Sequence, residues 1–267
     1  GFRELDNIKI TKMKISVITV CYNCENTIID TIESVINQDY KDFEFIIIDG
    51  KSNDDTIKLI DGYKNKINKL VSEKDTGIYD AINKGISLAT GDIISLLHGN
   101  DVFAESNVLS KVNSFFKVND NIDLMIADLA FKKNIKDTRC TRYYHTKNFK
   151  PWMLRIGYSP PHLTTFYTKK ALKKIGKYNV NYKIAGDFDY FVKTFLIHKL
   201  KFKTFSQCLV FMRSGGLSNK NILSYFISSY EINKSLKENG FYSNILLTFL
   251  RFPLKVLQIF KFKWLKI

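Results

Sequence analysis

The chain has 267 residues, 45% of them hydrophobic, enough to bury a sizeable core in one domain with an appendage. Its 41 Lys and Arg against 26 Asp and Glu leave a formal charge of +15, which calls for an anionic partner, yet no nucleic-acid recognition motif accompanies the charge and nucleic acid is set aside. Of the four cysteines, Cys21 and Cys24 have redox or zinc spacing, but no second pair or histidine set completes a metal site, so Cys21 reads as a packing thiol and nothing demands an oxidising compartment.

Residues 1–12 are polar and lack the apolar core of a secretory signal, so they read as an N-terminal extension ahead of Met13. Lys14 to Val20 is a buried strand running into Cys21-Tyr22-Asn23, and Phe43 to Ile48 a second running into Asp49-Gly50-Lys51-Ser52. Between them, Ile28, Ile29, Ile32, Val35 and Ile36 recur at helical spacing within Glu25 to Asn37. Thr56 to Tyr63 is a second helix, Leu70-Val71 a short strand, and Gly77 to Ala89 a third helix with Ile78, Ala81, Ile82, Ile86 and Leu88 on its inner face. Gly91 to Leu97 is a strand ending in His98-Gly99-Asn100-Asp101. Strands alternating with helices predict an α/β fold with a mostly parallel sheet and right-handed crossovers. The strand ends at Tyr22, Asp49 and Asp101 then fall along one edge, where open α/β sheets bind their ligands.

Farther on, Glu105 to Phe116 reads as a helix, Ile122 to Phe131 as a strand, and Lys132 to Lys150 as irregular or hairpin. Tyr158 to His162 forms a rigid turn into the strand Leu163 to Tyr167. A helix is expected from Asp189 to His198, with Asp187 at its N-cap or acting as an acid–base group. Leu209 to Met212 reads as a strand, followed by a Gly215-Gly216 hinge and a helix over Asn221 to Leu236. The tail from Ile245 is apolar, and Phe241 to Ile267 carries Arg251, Lys255, Lys261, Lys263 and Lys266 with no acidic residue. Its charge-free runs are too short to span a bilayer, so it reads as a basic helix lying on an anionic membrane surface, or as a helix packed on the domain or in a dimer contact.

Six segments in order carry a resemblance: Val17 to Asn23, Ser34 to Gln38, Phe45 to Thr56, Glu73 to Gly85, Ala89 to Asp92, and Leu97 to Asp101, with Gly186-Asp187-Phe188-Asp189 downstream. Together they resemble the family-2 inverting glycosyltransferases, which have the GT-A nucleotide-sugar fold. The resemblance covers roughly residues 13–220, with a nucleotide-sugar part (13–125), an acceptor part (126–220), and a helical, membrane-associating segment after it (221–267).

By position, the resemblance implies that Val20, Cys21 and Tyr22 contact the nucleotide base, that Asp49 binds uracil or ribose, and that Asn83 and Asn100 belong to the donor site. It implies that Asp101 holds Mn²⁺ or Mg²⁺ against the donor diphosphate, although His98 and Asn100 stand where many relatives have acids. Asp187 corresponds to the general base that deprotonates the acceptor hydroxyl. Arg213 is a candidate bidentate partner for the diphosphate, and His162 and Trp152 are candidate acceptor contacts. For these last three, a loop arginine, a turn histidine and a core tryptophan are the structural alternatives.

The expected activity is transfer of a hexose from a UDP-sugar to a hydroxyl of a lipid-linked saccharide, with inversion. That places the enzyme on the inner face of the cell membrane, in surface polysaccharide synthesis such as O-antigen or capsule. The competing readings are a nucleotidyltransferase on a related fold and a catalytically degenerate nucleotide-sugar-binding or membrane scaffold.

Overall fold

The computed structural model describes residues 12–214, 222–251 and 253. In chain order the elements are β1 (Ile15–Cys21), α1 (Ile28–Ile36), β2 (Phe43–Asp49), α2 (Thr56–Asp61), β3 (Lys69–Ser72), α3 (Ile78–Leu88), β4 (Ile93–His98), β5 (Val102–Phe103) and α4 (Val108–Val118). They continue with β6 (Leu124–Lys132), β7 (Arg142–Tyr144), β8 (Thr165–Thr168), α5 (Lys169–Ile175), α6 (Gly186–Val192), β9 (Phe202–Arg213), α7 (Ile222–Glu238) and α8 (Ile245–Phe249).

All the described strands join one sheet in the order β3-β2-β1-β4-β8-β6-β9-β5, with β7 paired to β6. The four strands β3, β2, β1 and β4 run parallel, as the alternation with helices predicts. Past β4 the sheet becomes mixed: β8 is antiparallel to both β4 and β6, while β9 runs parallel to β6 and antiparallel to β5.

Apolar side chains alternate between the two faces of the strands and build two cores. Ile15, Val17, Phe45, Ile47, Ile93 and Leu97 face α1, α2 and α4, whose Ile28, Ile32, Ile60, Val108 and Val112 close that layer. Ile18, Val20, Ile46, Ile48, Ile94 and Leu96 face the opposite layer of α3, α5, α6 and α7 through Ile82, Leu172, Phe191, Ile232 and Leu236. Gly91 shows why its position tolerates no side chain: a Cβ there would lie 2.6 Å from Ser16 Oγ and 2.8 Å from the Lys14 carbonyl.

Two elements differ from the sequence-based expectation. The Leu209–Met212 strand is the end of the longer β9, whose first residues pair with β6. The helix expected from Asp189 begins at Gly186 and continues through a π-helical turn, Lys193–Ile197. Its early start has a tertiary cause: Glu231 of α7 accepts hydrogen bonds from the backbone N–H groups of Lys183, Ile184 and Ala185, supplying from a distant helix the acceptor that no local residue provides. The Gly215-Gly216 hinge lies outside the described residues, as do Lys255, Lys261, Lys263 and Lys266 of the tail.

Arg251 requires a correction. Its side chain is buried, donates to Ser229 Oγ of α7 at 2.8 Å, and lies against Gly157, which adopts a φ of +76° there. Burial lowers its pKa to about 10. It belongs to the packing of α7 and α8, and cannot face a membrane with the lysines that follow.

A buried carboxylate ties the parallel half together. Glu44 accepts from the Thr90 hydroxyl at 2.9 Å and from the Ser16 hydroxyl and Thr90 N–H, linking the strand edges of β1 and β4 to β2. Burial opposes its charge, but these donors together with Lys14 hold its pKa at about 2. Its folded pKa is lowered, so its contribution is present above the ordinary carboxylate range and is lost as pH falls towards 2. Replacing Glu44 with Ala should destabilise the domain by about 1–3 kcal/mol at pH 7, because buried donors lose their acceptor. Urea titrations at pH 7 and pH 3 should show this difference shrinking at the lower pH.

Candidate functional site

The parallel register sets the polar edge. Asp49 pairs with Cys21 on one side and Ser72 on the other, while Val20 pairs with His98. Four strand ends therefore deliver Ser72, Asp49, Cys21 and His98 side by side.

Asp49 is fully buried. Its carboxylate accepts from the Ser52 N–H at 3.0 Å, the Ser72 hydroxyl at 2.6 Å and the Ser52 hydroxyl, with the Cys21 thiol 3.8 Å away. Burial, and then the nearby Asp49, push the Cys21 thiol well above its usual range, so it stays protonated. The loops after β1 and β2 are stitched by Asn23 N–H to Ser52 Oγ (2.8 Å), Asn53 N–H to Asn23 Oδ1 (3.0 Å) and Cys24 N–H to Thr56 Oγ1 (2.7 Å).

Above this floor Tyr22 is 58% exposed, and its ring lies beside Gly50. Asp75, which sequence reasoning passed over, reaches the same place: a Cβ on Gly50 would sit 2.6 Å from its Oδ2 and 3.4 Å from the Tyr22 ring. Burial raises its pKa. Its only signal in the sequence is its place inside the Glu73–Gly85 segment.

Asp101 follows β4 and is 2% exposed. Its Oδ1 accepts from the Arg213 N–H at 3.1 Å, and its Oδ2 lies 3.9 Å from His98 Nδ1. Burial raises its pKa to about 7, against the lowering effect of Arg213. The antiparallel pairing of β5 with β9 is what carries Arg213 here. The Arg213 guanidinium donates to the Asn100 carbonyl at 2.7 Å and to Asp30 of α1. Arg213 thus clamps the strand-end turn, and would have to leave Asp30 to hold a diphosphate bidentately.

Thr27 and Thr31 of the α1 region complete the turn, binding Asn100 Oδ1 at 2.6 Å and the Asp101 carbonyl at 2.8 Å. In sequence they are indistinguishable from ordinary helix-start residues.

His98 and His162 join this edge to the second half of the site. Their ring centroids are 6.2 Å apart, and His162 Nε2 hydrogen-bonds the Tyr178 hydroxyl at 2.8 Å. Burial holds His98 at about 4 and, with His98 beside it, His162 at about 3, so both are neutral at physiological pH. Tyr178 stacks on Tyr190 and Tyr79, and both the Oδ1 and Nδ2 of Asn83 are used by the Tyr178 backbone, at 2.8 and 2.9 Å. Asn83 is therefore a tether between α3 and the segment leading to α6.

Asp187 sits in the first turn of α6, half-buried, with Oδ1 accepting from the Phe188 N–H at 2.8 Å. It is not the N-cap: that position is Ala185. Asp189 is engaged elsewhere, accepting from Ser235 and Asn239 and pairing with Lys193 at 2.7 Å, which ties α6 to α7. Trp152 is 55% exposed in the short turn Pro151–Ile156, which packs on α8.

Among the described residues no group of three or more His, Cys, Asp or Glu comes together to hold a metal. Asp101 nevertheless fits a divalent ion shared with a diphosphate: it is a buried carboxylate with one oxygen distant from any strong donor, and Mg²⁺-type sites take one or two carboxylates with phosphate and water completing the shell.

The Glycosyl transferase family 2 profile matches residues 16–191, and the chain belongs to that family. It is a glycosyltransferase of mixed α/β, GT-A-like fold. It is similar to the PGL/p-HBAD biosynthesis glycosyltransferase of Mycobacterium tuberculosis, 26% identical over 225 residues, covering 83% of this chain and 85% of the relative. Bacillus subtilis putative glycosyltransferase EpsE is 34% identical over 93 residues, 33% of this chain and 34% of that one.

In structure it is similar to S. aureus TarS 1-349, with a TM-score of 0.67 and 20% identity over 95% of this chain and 76% of that one. It spans 44% of the longer TarS structure. A mannosyltransferase of Pyrobaculum calidifontis, solved with GDP-Man and Mn²⁺, gives a TM-score of 0.64 at 14% identity, covering 94% of this chain and 74% of that one.

The raised pKa of Asp101 predicts a pH-dependent cation site. Its folded pKa lies above the ordinary value, so its contribution to the metal-free fold is full at acid pH and is lost as pH rises through about 7. A cation needs the ionised form, so the stabilising effect of Mn²⁺ with UDP on the melting temperature should be larger at pH 8 than at pH 6, with affinity changing roughly tenfold. In Asp101→Asn both the metal effect and its pH step should vanish.

Proposed function

We propose that this glycosyltransferase moves a hexose from a UDP-sugar to an acceptor hydroxyl with inversion, using Asp187 as base. The observation that carries the reading is the continuous path from the nucleotide edge to Asp187. Asp101 Oδ2 is 3.9 Å from His98, the His98 ring lies tilted beside His162 at 6.2 Å, His162 bonds Tyr178, and Tyr178 packs on Tyr79, whose hydroxyl bonds the Ile184 carbonyl three residues before Asp187. Related structures solved with UDP and UDP-GlcNAc, those of S. aureus TarS, support the donor class.

In this reading Tyr22 and Asp75 flank the base and ribose above the Asp49 floor. Asp187 takes the proton of the acceptor hydroxyl as its oxygen bonds the anomeric carbon. The bond from that carbon to the diphosphate breaks on the opposite face, its electron pair leaving with UDP, and this opposed geometry gives inversion. Asp101 would hold a divalent ion, which would supply charge neutralisation to the diphosphate leaving group. The nucleotidyltransferase reading leaves Asp187 without a task.

The acceptor in this proposal is a lipid-linked saccharide met at an anionic membrane surface, within surface polysaccharide synthesis. Among the described residues no helix is long and apolar enough to cross a membrane. Support for surface contact is the exposed apolar side of α8, with Leu246 at 76% exposure beside Ile245 and Phe249, immediately ahead of Lys255, Lys261, Lys263 and Lys266.

Release of UDP from a panel of UDP-sugars, with a polyprenyl-linked sugar supplied, tests the donor. No turnover with any member would remove the UDP-sugar assignment. Asp187→Asn should cut turnover by roughly 10²-fold or more while leaving UDP affinity nearly unchanged by calorimetry. Near-normal turnover would remove Asp187 as the base.

Truncation after Pro253 should release the protein from anionic liposomes while keeping its melting temperature, because Thr248 and Arg251 stay in place. Arg251→Ala should instead lower the melting temperature and leave liposome binding intact. Retention of the truncated chain on liposomes would remove the lysines after Pro253 as the membrane contact, and retention by a chain that also carries Leu246→Glu would end the membrane reading.

A further inference from the structure

The segment Lys183–Gly186, just ahead of Asp187, is held from two sides. The Tyr79 hydroxyl of α3 donates to the Ile184 carbonyl at 2.7 Å, and the ring lies so close to Gly186 that a Cβ there would meet it at 2.6 Å. From the other side the buried Glu231 of α7 accepts from Lys183 N–H through Oε1 at 2.8 Å, and from Ile184 and Ala185 N–H through Oε2 at 2.9 and 2.8 Å. A carboxylate taking three adjacent backbone donors fixes that backbone more tightly than a neutral side chain can, since it has no proton to clash with them and its bonds are charge-assisted.

Glu231 lies outside the 16–191 match to the family profile. We infer that Glu231 is a positioning residue for Asp187: it sets the start of α6, and with it the height and direction of the Asp187 carboxylate over the donor edge. This rests on Asp187 being the base. Binding of the nucleotide does not pass through this clamp, because Asp49, Asp75 and Asp101 belong to other loops. Glu231 should therefore act on turnover alone. Gln at 231 keeps an oxygen for Ile184 and Ala185 but turns an NH2 towards the Lys183 N–H, so its effect should be intermediate.

The test uses the full chain and four proteins: wild type, Glu231→Gln, Glu231→Ala and Asp187→Asn. UDP affinity is measured by calorimetry, kcat and donor KM with the donor selected by the panel, and amide exchange at Lys183, Ile184 and Ala185 by mass spectrometry. The expected result is kcat lowered by about tenfold in Glu231→Gln and about hundredfold in Glu231→Ala, with UDP affinity and donor KM unchanged and exchange rising in the same order.

Unchanged kcat in Glu231→Ala despite faster exchange would overturn the inference. A parallel loss of kcat, UDP affinity and melting temperature in Glu231→Gln would also overturn it, because that pattern marks a purely structural residue. If Glu231→Ala does not fold, Glu231→Gln carries the decision alone. Failure of the base assignment is separately visible: Asp187→Asn would then remain active whatever Glu231 does.

Discussion

Burial of carboxylates at the ends of parallel strands is the constraint on which this molecule depends. A carboxylate in an apolar sheet edge must find donors, take a cation, or stay protonated. The three at this edge meet the requirement differently. Asp49 takes serine hydroxyls and a backbone N–H from the two loops beside it, and becomes the rigid floor of the edge. Asp75 stays half-exposed beside Tyr22 and Gly50. Asp101 is buried with a single backbone donor and is poised to gain from a positive charge. The division of labour proposed here, between a nucleotide floor and a cation ligand, rests on these environments rather than on residue type.

The second half of the sheet serves to close that edge. β9 pairs with β5 in the opposite sense to the parallel strands, and so lays Arg213 across the turn that carries Asn100 and Asp101. The helices behind it do the same for the acceptor side. α7 contributes Glu231 to the segment before α6 and ties Asp189 through Ser235 and Asn239, while Asp187 stands in the first turn of the same helix. The two aspartates are two residues apart on one helix, but the packing of α7 against one face separates an anchor from a candidate base.

The tyrosine and histidine stack between the halves gives the site its rigidity. Tyr79, Tyr178 and Tyr190 lie with nearly parallel rings, and His162 caps Tyr178 edge-on. The tyrosines come from α3, from the segment before α6 and from α6 itself, and His162 from the turn before β8, so the two halves of the chain share one packed interior. Both histidines are driven neutral by burial, and His162 hydrogen-bonds the Tyr178 hydroxyl within this cluster.

The sequence alone determined the parallel half of the fold and the family. Strand and helix there are local properties, written in the apolar run of Ile15 to Val20 and the helical spacing of Ile28, Ile32 and Val35, with Asp49 and Asp101 at or just beyond the ends of their strands. Asp49 and Asp101 were legible as strand-end carboxylates, whereas Asp187, which follows no strand, was legible only through the resemblance of the Gly186-Asp187-Phe188-Asp189 segment. Tertiary structure alone decided what those residues touch. Asn83 is engaged by the Tyr178 backbone and His162 by the Tyr178 hydroxyl. Arg213 became a clamp on its own turn, and Arg251 went from a surface charge to a buried one, because each is engaged by a segment distant in sequence. Glu231, Thr27 and Ser72 carried no distinguishing local pattern, and Asp75 only its place inside the Glu73–Gly85 segment. Their importance comes from a long-range juxtaposition of backbone donors and buried carboxylates, which only the closed sheet and the helices packed against it create.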